Sequence, residues 1–128
     1  MTYVDSSVAL AYLLAEPRSP VASFWDSELV SSRLLAYEVW NRLYARQVTE
    51  RRRSEARTLL AGIELIELSE PVLARALEPW PAPVRTLDCL HLATADYLRR
   101  LGDVVELASY DNRLLASARA LEFPIAAL

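Results

Sequence analysis

Short apolar runs and longer mixed stretches alternate along the whole chain. Thr2-Tyr3-Val4 reads as a short buried strand, and Asp5-Ser6-Ser7 as the turn capping a helix from about Val8 to Ala15. Glu16 to Pro20 is a proline-bounded break, and a second helix then runs to about Ser27 with Phe24 and Trp25 as core candidates. Leu29-Val30-Ser31 fits a second strand, with Ser32 as N-cap of a helix ending near Arg46. A helix from about Glu50 to Ala61 is expected to stop on a left-handed Gly62. Ile63 to Leu68 nearly alternates and is assigned to a strand, and Glu70 to Leu77 to a short helix closed by the proline-rich segment Glu78 to Pro83. The next helix contains Asp88, with Thr86 offered to its orphan N–H groups, and ends at Gly102. Val104 to Ser109 is the following strand, Asn112 to Leu121 the last helix, and Pro124 to Ala126 a terminal strand or tail.

Strands separated by helices imply βαβ units, and hence an α/β protein with a parallel sheet covered on both faces. In such sheets ligands gather beyond the carboxyl ends of the strands, where strand order reverses. Asp5 and Asp111 each directly follow an expected strand, so topology places them at one edge of the sheet.

Composition narrows the class. At 128 residues the chain suits one domain, and 53% hydrophobic with 24% charged residues suits a packed protein rather than a disordered one. The apolar runs are too short for a membrane span, and no signal peptide is read at the N-terminus. A single cysteine, Cys89, makes no internal disulfide and fits a reducing cytoplasm. A formal net charge of −3 argues against a nucleic-acid coat protein. All fourteen basic residues are arginine, so no lysine nucleophile or phosphate-clamping lysine exists.

Asp5, Glu38, Asp88 and Asp111 form the candidate site. Each has an ordinary reading as well. Asp5 and Asp111 would serve as N-caps, although Ser6 and Ser7 make an acid at position 5 surplus to capping. Glu38 falls beside Asn41 and Arg42, where an exposed i,i+4 pair with Arg42 contributes only a few tenths, about 0.3 kcal/mol. Asp88 lies in a first helical turn, where the helix dipole favours its ionised form. Asp96 lies about 12 Å further along the same helix axis, too far to share a metal with Asp88, and reads as a solvated or structural acid. Four converging carboxylates without a cation would repel one another. Oxygen-only ligands suit Mg2+ or Mn2+, and such ions promote phosphodiester hydrolysis.

These residues together resemble the PIN-domain ribonucleases, and in particular the VapC toxins of toxin–antitoxin pairs. Tyr3-Val4-Asp5-Ser6-Ser7, Glu38-Val39-Trp40-Asn41, Leu87 to Ala95 and Ser109-Tyr110-Asp111-Asn112-Arg113 correspond in order and spacing to the family's acidic motifs. The resemblance implies a PIN-like three-layer α/β/α domain over residues 1–128 with about four to five parallel strands. It implies Mg2+- or Mn2+-dependent RNA cleavage, with Asp5, Glu38, Asp88 and Asp111 as metal-binding catalytic acids and Ser7 and Ser109 as supporting hydroxyls. It further implies a homodimer and neutralisation by a small antitoxin. Two departures stand out: Ser109 where threonine is usual, and no glycine in Leu121-Glu122-Phe123 after the last helix.

His91, the one histidine, reads as a hydrogen-bonded packing residue rather than a ligand. Cys89, beside an anionic Asp88, should have a raised pKa and makes no catalytic pair with His91. Arg46, Arg51, Arg52, Arg53 and Arg57 form a basic patch that is either a solvated helix junction or a contact for RNA phosphate or a partner. Tyr37, Trp40 and Tyr44 recur at helical spacing and favour core or subunit contact over base stacking. Nucleotide-loop folds fail for want of lysine and of a glycine-rich loop. Two alternatives stand beside the nuclease: a PIN-like interaction module without activity and, less favoured because the chain lacks a phosphate-contacting lysine, a receiver-like Mg2+-binding phosphoacceptor domain.

Overall fold

The computed structural model describes all 128 residues. Four strands, β1 (Thr2–Val4), β2 (Leu29–Ser32), β3 (Glu64–Ile66) and β4 (Glu106–Ala108), form one sheet in the order β3-β2-β1-β4. Every neighbouring pair is parallel, with Thr2 opposite Leu29 and Glu106, and Val30 opposite Glu64. Six helices connect and cover it: α1 (Ser6–Leu13), α2 (Leu34–Ala45), α3 (Glu50–Ala61), α4 (Glu70–Ala76), α5 (Thr86–Arg100) and α6 (Asn112–Ala120).

Strand alternation creates two cores, one on each face of the sheet. Tyr3, Val30 and Leu107 pack with Leu92, Ala95 and Leu98 of α5 and Leu114 and Ala118 of α6. Val4, Leu29 and Ala108 point the other way, against Val8 and Leu13 of α1, Leu35, Val39 and Leu43 of α2 and Ala56 of α3. The result is the expected three-layer α/β/α sandwich. From β1 the chain moves to β2 and β3 on one side, and β4 then returns to the other side of β1. Strand order therefore reverses between β1 and β4, so the turns after those strands border a natural ligand crevice.

Several boundaries differ from the sequence reading. The stretch after Pro20 forms only a single 3-10 turn, Ala22–Asp26, closed by the Ser27 hydroxyl on the Phe24 carbonyl. The third strand contracts to Glu64–Ile66 because it pairs with β2 alone, and the fourth contracts to Glu106–Ala108. Pro124 to Ala126, expected as a terminal strand or tail, makes a single bridge from Ile125 to Leu107. Thr86 opens α5 rather than capping it, and Arg85 holds the N-cap position without a side-chain bond. Ser32 does accept the Leu34 N–H, one residue before the cap position of α2.

Gly62 is not left-handed: its φ is −86°, and the chain passes directly from α3 toward β3. Glu122 instead adopts φ 63° in the segment that lacks a glycine, and its N–H reaches the Arg119 carbonyl to close α6. Gly102, at φ 102°, ends α5 as expected.

Candidate functional site

Asp5 sits at the end of β1, its N–H bonded to the Ala108 carbonyl of β4. Its buried carboxylate is gripped on one oxygen only. Oδ2 accepts from the Ser7 hydroxyl at 2.6 Å, the Ser109 hydroxyl at 2.8 Å and, more weakly, the Ser7 N–H at 3.4 Å. The two hydroxyls are themselves oriented, since Ser7 Oγ accepts the Tyr110 N–H and Ser109 Oγ the Asp111 N–H, each at 2.9 Å. The serines thus tie the turn after β1 to the turn after β4, with Oδ1 of Asp5 left uncommitted.

Asp111 caps α6, and both of its bonds, from the N–H groups of Arg113 and Leu114, end on Oδ1. The capping reading is correct, and it leaves the second oxygen to the crevice. Asp88 lies in the first turn of α5. Burial raises its pKa, reinforced by the charges of Asp111 and Asp5, and His91 and Arg113 compensate only in part. The helix dipole acts in the opposite direction at this position, favouring the ionised form.

Glu38 projects from α2, and the anticipated Arg42 pair does not form. Its Oε1 meets His91 Nε2 at 2.5 Å, and its Oε2 accepts from Ser6 Oγ at 3.4 Å. His91 is 1% exposed, and its Nδ1 lies 2.7 Å from the Tyr3 hydroxyl. Burial disfavours a charged imidazole, but the hydrogen bond and charge of Glu38, aided by Asp5 and Asp88, outweigh it and raise the His91 pKa.

Asp5, Glu38, Asp88 and Asp111 all line one open cavity of about 610 Å3. Four acids from four separated segments thus share a space, although no three His, Cys, Asp or Glu side chains are drawn together as a ready-made metal cluster. Arg18, Arg42, Arg85 and Arg113 line the same cavity. Sequence reasoning missed all four, although Arg42, Arg85 and Arg113 each stand within four residues of a site acid. Arg18 is held over the Tyr110 ring, 4.5 Å from its centroid.

Arg51, Arg52 and Arg53 do not line this cavity. They lie on α3, where Arg51 and Arg52 pair with Glu55, and Arg53 and Arg57 with Glu50. Asp96 is a structural acid: it is buried and pairs with Arg75 and Arg99 at 2.6 Å and Arg100 at 3.1 Å. Burial alone would raise its pKa, but hydrogen bonds from Arg75 and Arg99 hold it below the usual carboxylate range. The Cys89 thiol is pushed up by burial rather than by Asp88, and it donates to the Ala76 carbonyl. Of the three aromatics on α2 only Trp40 packs against a core, while Tyr37 and Tyr44 are 69% and 65% exposed.

A parallel α/β/α sandwich with acids gathered at its β1–β4 reversal defines a class, and the PIN domain family matches the chain over residues 2–121. The chain belongs to the PIN-domain family. Within it, the chain is a VapC-type member: it is 34% identical to ribonuclease VapC46 of Mycobacterium tuberculosis H37Rv, over 98% of this chain and 95% of that protein. Ribonuclease VapC47 of M. tuberculosis CDC 1551 is 31% identical, over 96% of this chain and 93% of its own. Ribonuclease VapC35 of the same strain is 26% identical over 99% of this chain and 96% of its own. No helix is long and apolar enough to cross a membrane.

Proposed function

We infer that this protein is an endoribonuclease whose acidic cavity works with Mg2+ or Mn2+, and that it is the toxin of a type II toxin–antitoxin pair. The observation carrying this reading is the shared cavity of Asp5, Glu38, Asp88 and Asp111. The VapC-named ribonuclease relatives, similar over nearly the full chain, support the same reaction.

The donor chemistry fits a hard divalent cation. The acids offer oxygen only, and Asp5 and Asp111 each concentrate their internal hydrogen bonds on one oxygen. Asp88 also bears mutual repulsion that a cation would relieve. Asp5, Asp88, Glu38 and Asp111 would hold the ion, with Ser7 and Ser109 keeping Asp5 in its rotamer. When bound, it would supply charge neutralisation at the phosphoryl group and acidify a water nucleophile. Arg18, Arg42, Arg85 and Arg113 would draw RNA phosphates to an otherwise repulsive mouth. A small VapB-like antitoxin would cover this cavity, and the exposed aromatic side of α2 would contribute to a homodimer. We place the protein in the cytoplasm.

The test is incubation of the purified protein with structured RNA and Mg2+. Cleavage abolished by EDTA and by Asp5→Ala supports the nuclease. The alternative is an interaction module that binds without cutting. Metal-insensitive RNA binding without cleavage by the intact protein would establish that alternative.

A further inference from the structure

The nuclease reaction uses Glu38, and something other than its own helix must aim it. Helix α2 sets the Glu38 backbone, whereas the carboxylate itself is reached from the opposite side of the sheet. Ser32, the last residue of β2, donates its N–H to the Tyr3 phenol oxygen at 3.1 Å. Tyr3 meets His91 Nδ1 at 2.7 Å, and His91 Nε2 meets Glu38 Oε1 at 2.5 Å. The Tyr3 and His91 rings are also fixed edge-to-face, with centroids 5.8 Å apart. Tyr3 is fully buried and His91 nearly so, which leaves both without an alternative water partner.

With Glu38 as the carboxylate, this chain of bonds assigns which nitrogen donates. A neutral imidazole that accepts the Tyr3 proton at Nδ1 carries its own proton on Nε2. A charged one donates at both nitrogens. Facing an ionised Glu38, which can only accept, Nε2 carries a proton in either form. One glutamate oxygen is thereby pinned, and the other, which has only a 3.4 Å contact from Ser6, is left for the cavity.

We propose that His91, anchored by Tyr3 from β1, is the positioning residue that fixes the rotamer of Glu38 in the acidic cavity. It touches neither RNA nor the metal, and acts through Glu38 alone. The proposal rests on the nuclease reading for its consequence, though not for its geometry. Supporting hydrogen bonds to a metal-binding side chain are worth about 10–100-fold in metal affinity or activity.

His91 is the only histidine, so its ring gives a single, unambiguous set of imidazole signals. In long-range proton–nitrogen spectra of the metal-free protein, Nε2 should carry a proton, and that signal should shift in Glu38→Gln. An Nε2 without a proton, or an imidazole indifferent to Glu38→Gln, overturns the proposal. This readout does not require cleavage, so failure of the nuclease reading and failure of the tether are told apart. For the enzyme, cleavage is titrated with Mn2+ in His91→Gln and Tyr3→Phe, with folding checked by circular dichroism. The half-saturating Mn2+ concentration should rise about tenfold while the RNA KM stays within about twofold. His91→Gln should add little to the defect of Glu38→Gln, because the two act as one unit. Unchanged Mn2+ dependence in folded His91→Gln, or fully multiplicative defects in the double variant, overturns it.

Discussion

Helix α5 carries two acids that should respond oppositely to the same change, amidation of the carboxylate. Asp96 is 3% exposed and compensates Arg75, which is itself buried and ties α4 to α5. Asp96→Asn preserves volume but leaves the Arg75 charge with only the looser Glu78 carboxylate at 3.6 Å, and breaking a buried pair from one side costs about 3–5 kcal/mol. Arg99 and Arg100 are exposed enough to turn to water, which places the expected loss near the lower end, about 3 kcal/mol. For a chain of this length that is a drop of roughly 10 °C in Tm. The sign with pH follows from the depressed pKa of Asp96. Its stabilisation is present above the unfolded carboxylate value of about 3.9 and is lost as pH falls through the lower folded value. The difference between wild type and Asp96→Asn should therefore shrink in strong acid. Asp88 is the converse case, since its folded pKa is raised by burial and by Asp111 and Asp5. Its stabilising proton is lost as pH rises through that value, so Asp88→Asn should match or exceed wild-type stability at pH 7 in EDTA while abolishing cleavage. Thermal melts in EDTA at several pH values, paired with RNA cleavage per folded molecule, check both. A destabilised Asp88→Asn beside a neutral Asp96→Asn would refute the division of labour.

Three further outcomes are expected. Ser109→Ala removes the 2.8 Å bond to Asp5 and should lower cleavage about tenfold, whereas Ser109→Thr keeps the hydroxyl and should retain activity in the same assay. Glu122→Gly, at φ 63°, relieves left-handed strain and should gain about 0.5–1 kcal/mol in urea unfolding; a decrease would show that the Glu122 side chain matters more than its backbone. Glutamine at Arg85 and Arg113 should reduce the salt slope of RNA binding by about 0.7 for each phosphate no longer neutralised, whereas Arg51→Gln should leave it unchanged because that side chain lies outside the cavity.

Most of this architecture was legible because strands and helices alternate so regularly. The turn positions of Asp5 and Asp111 follow from the strands that precede them, one residue after β1 and three after β4, and the structure brings both to the β1–β4 reversal. The hydroxyls of Ser7 and Ser109 could be named from their offsets, but their joint grip on a single Asp5 oxygen depends on the parallel register of two strands more than a hundred residues apart. Glu38 shows the limit of local spacing. On α2 alone an Arg42 pair was the natural partner, and only tertiary packing supplies His91 from α5. The basic cluster was similarly misleading: contiguous arginines on α3 are paired locally with Glu50 and Glu55, while the arginines at the cavity come one at a time from separate segments. Gly62 is right-handed where a left-handed cap was expected, and Glu122 is left-handed in the segment that lacks a glycine, so residue type alone does not locate the left-handed helix ends.

Whether the four acids hold a divalent ion is measured most directly by anomalous diffraction from crystals soaked in Mn2+. A strong peak is expected inside the cavity, bordered by Asp5 and Asp88, and it should disappear in Asp5→Asn crystals. A cavity empty at saturating Mn2+, with peaks only elsewhere on the surface, would contradict a metal-dependent acidic site.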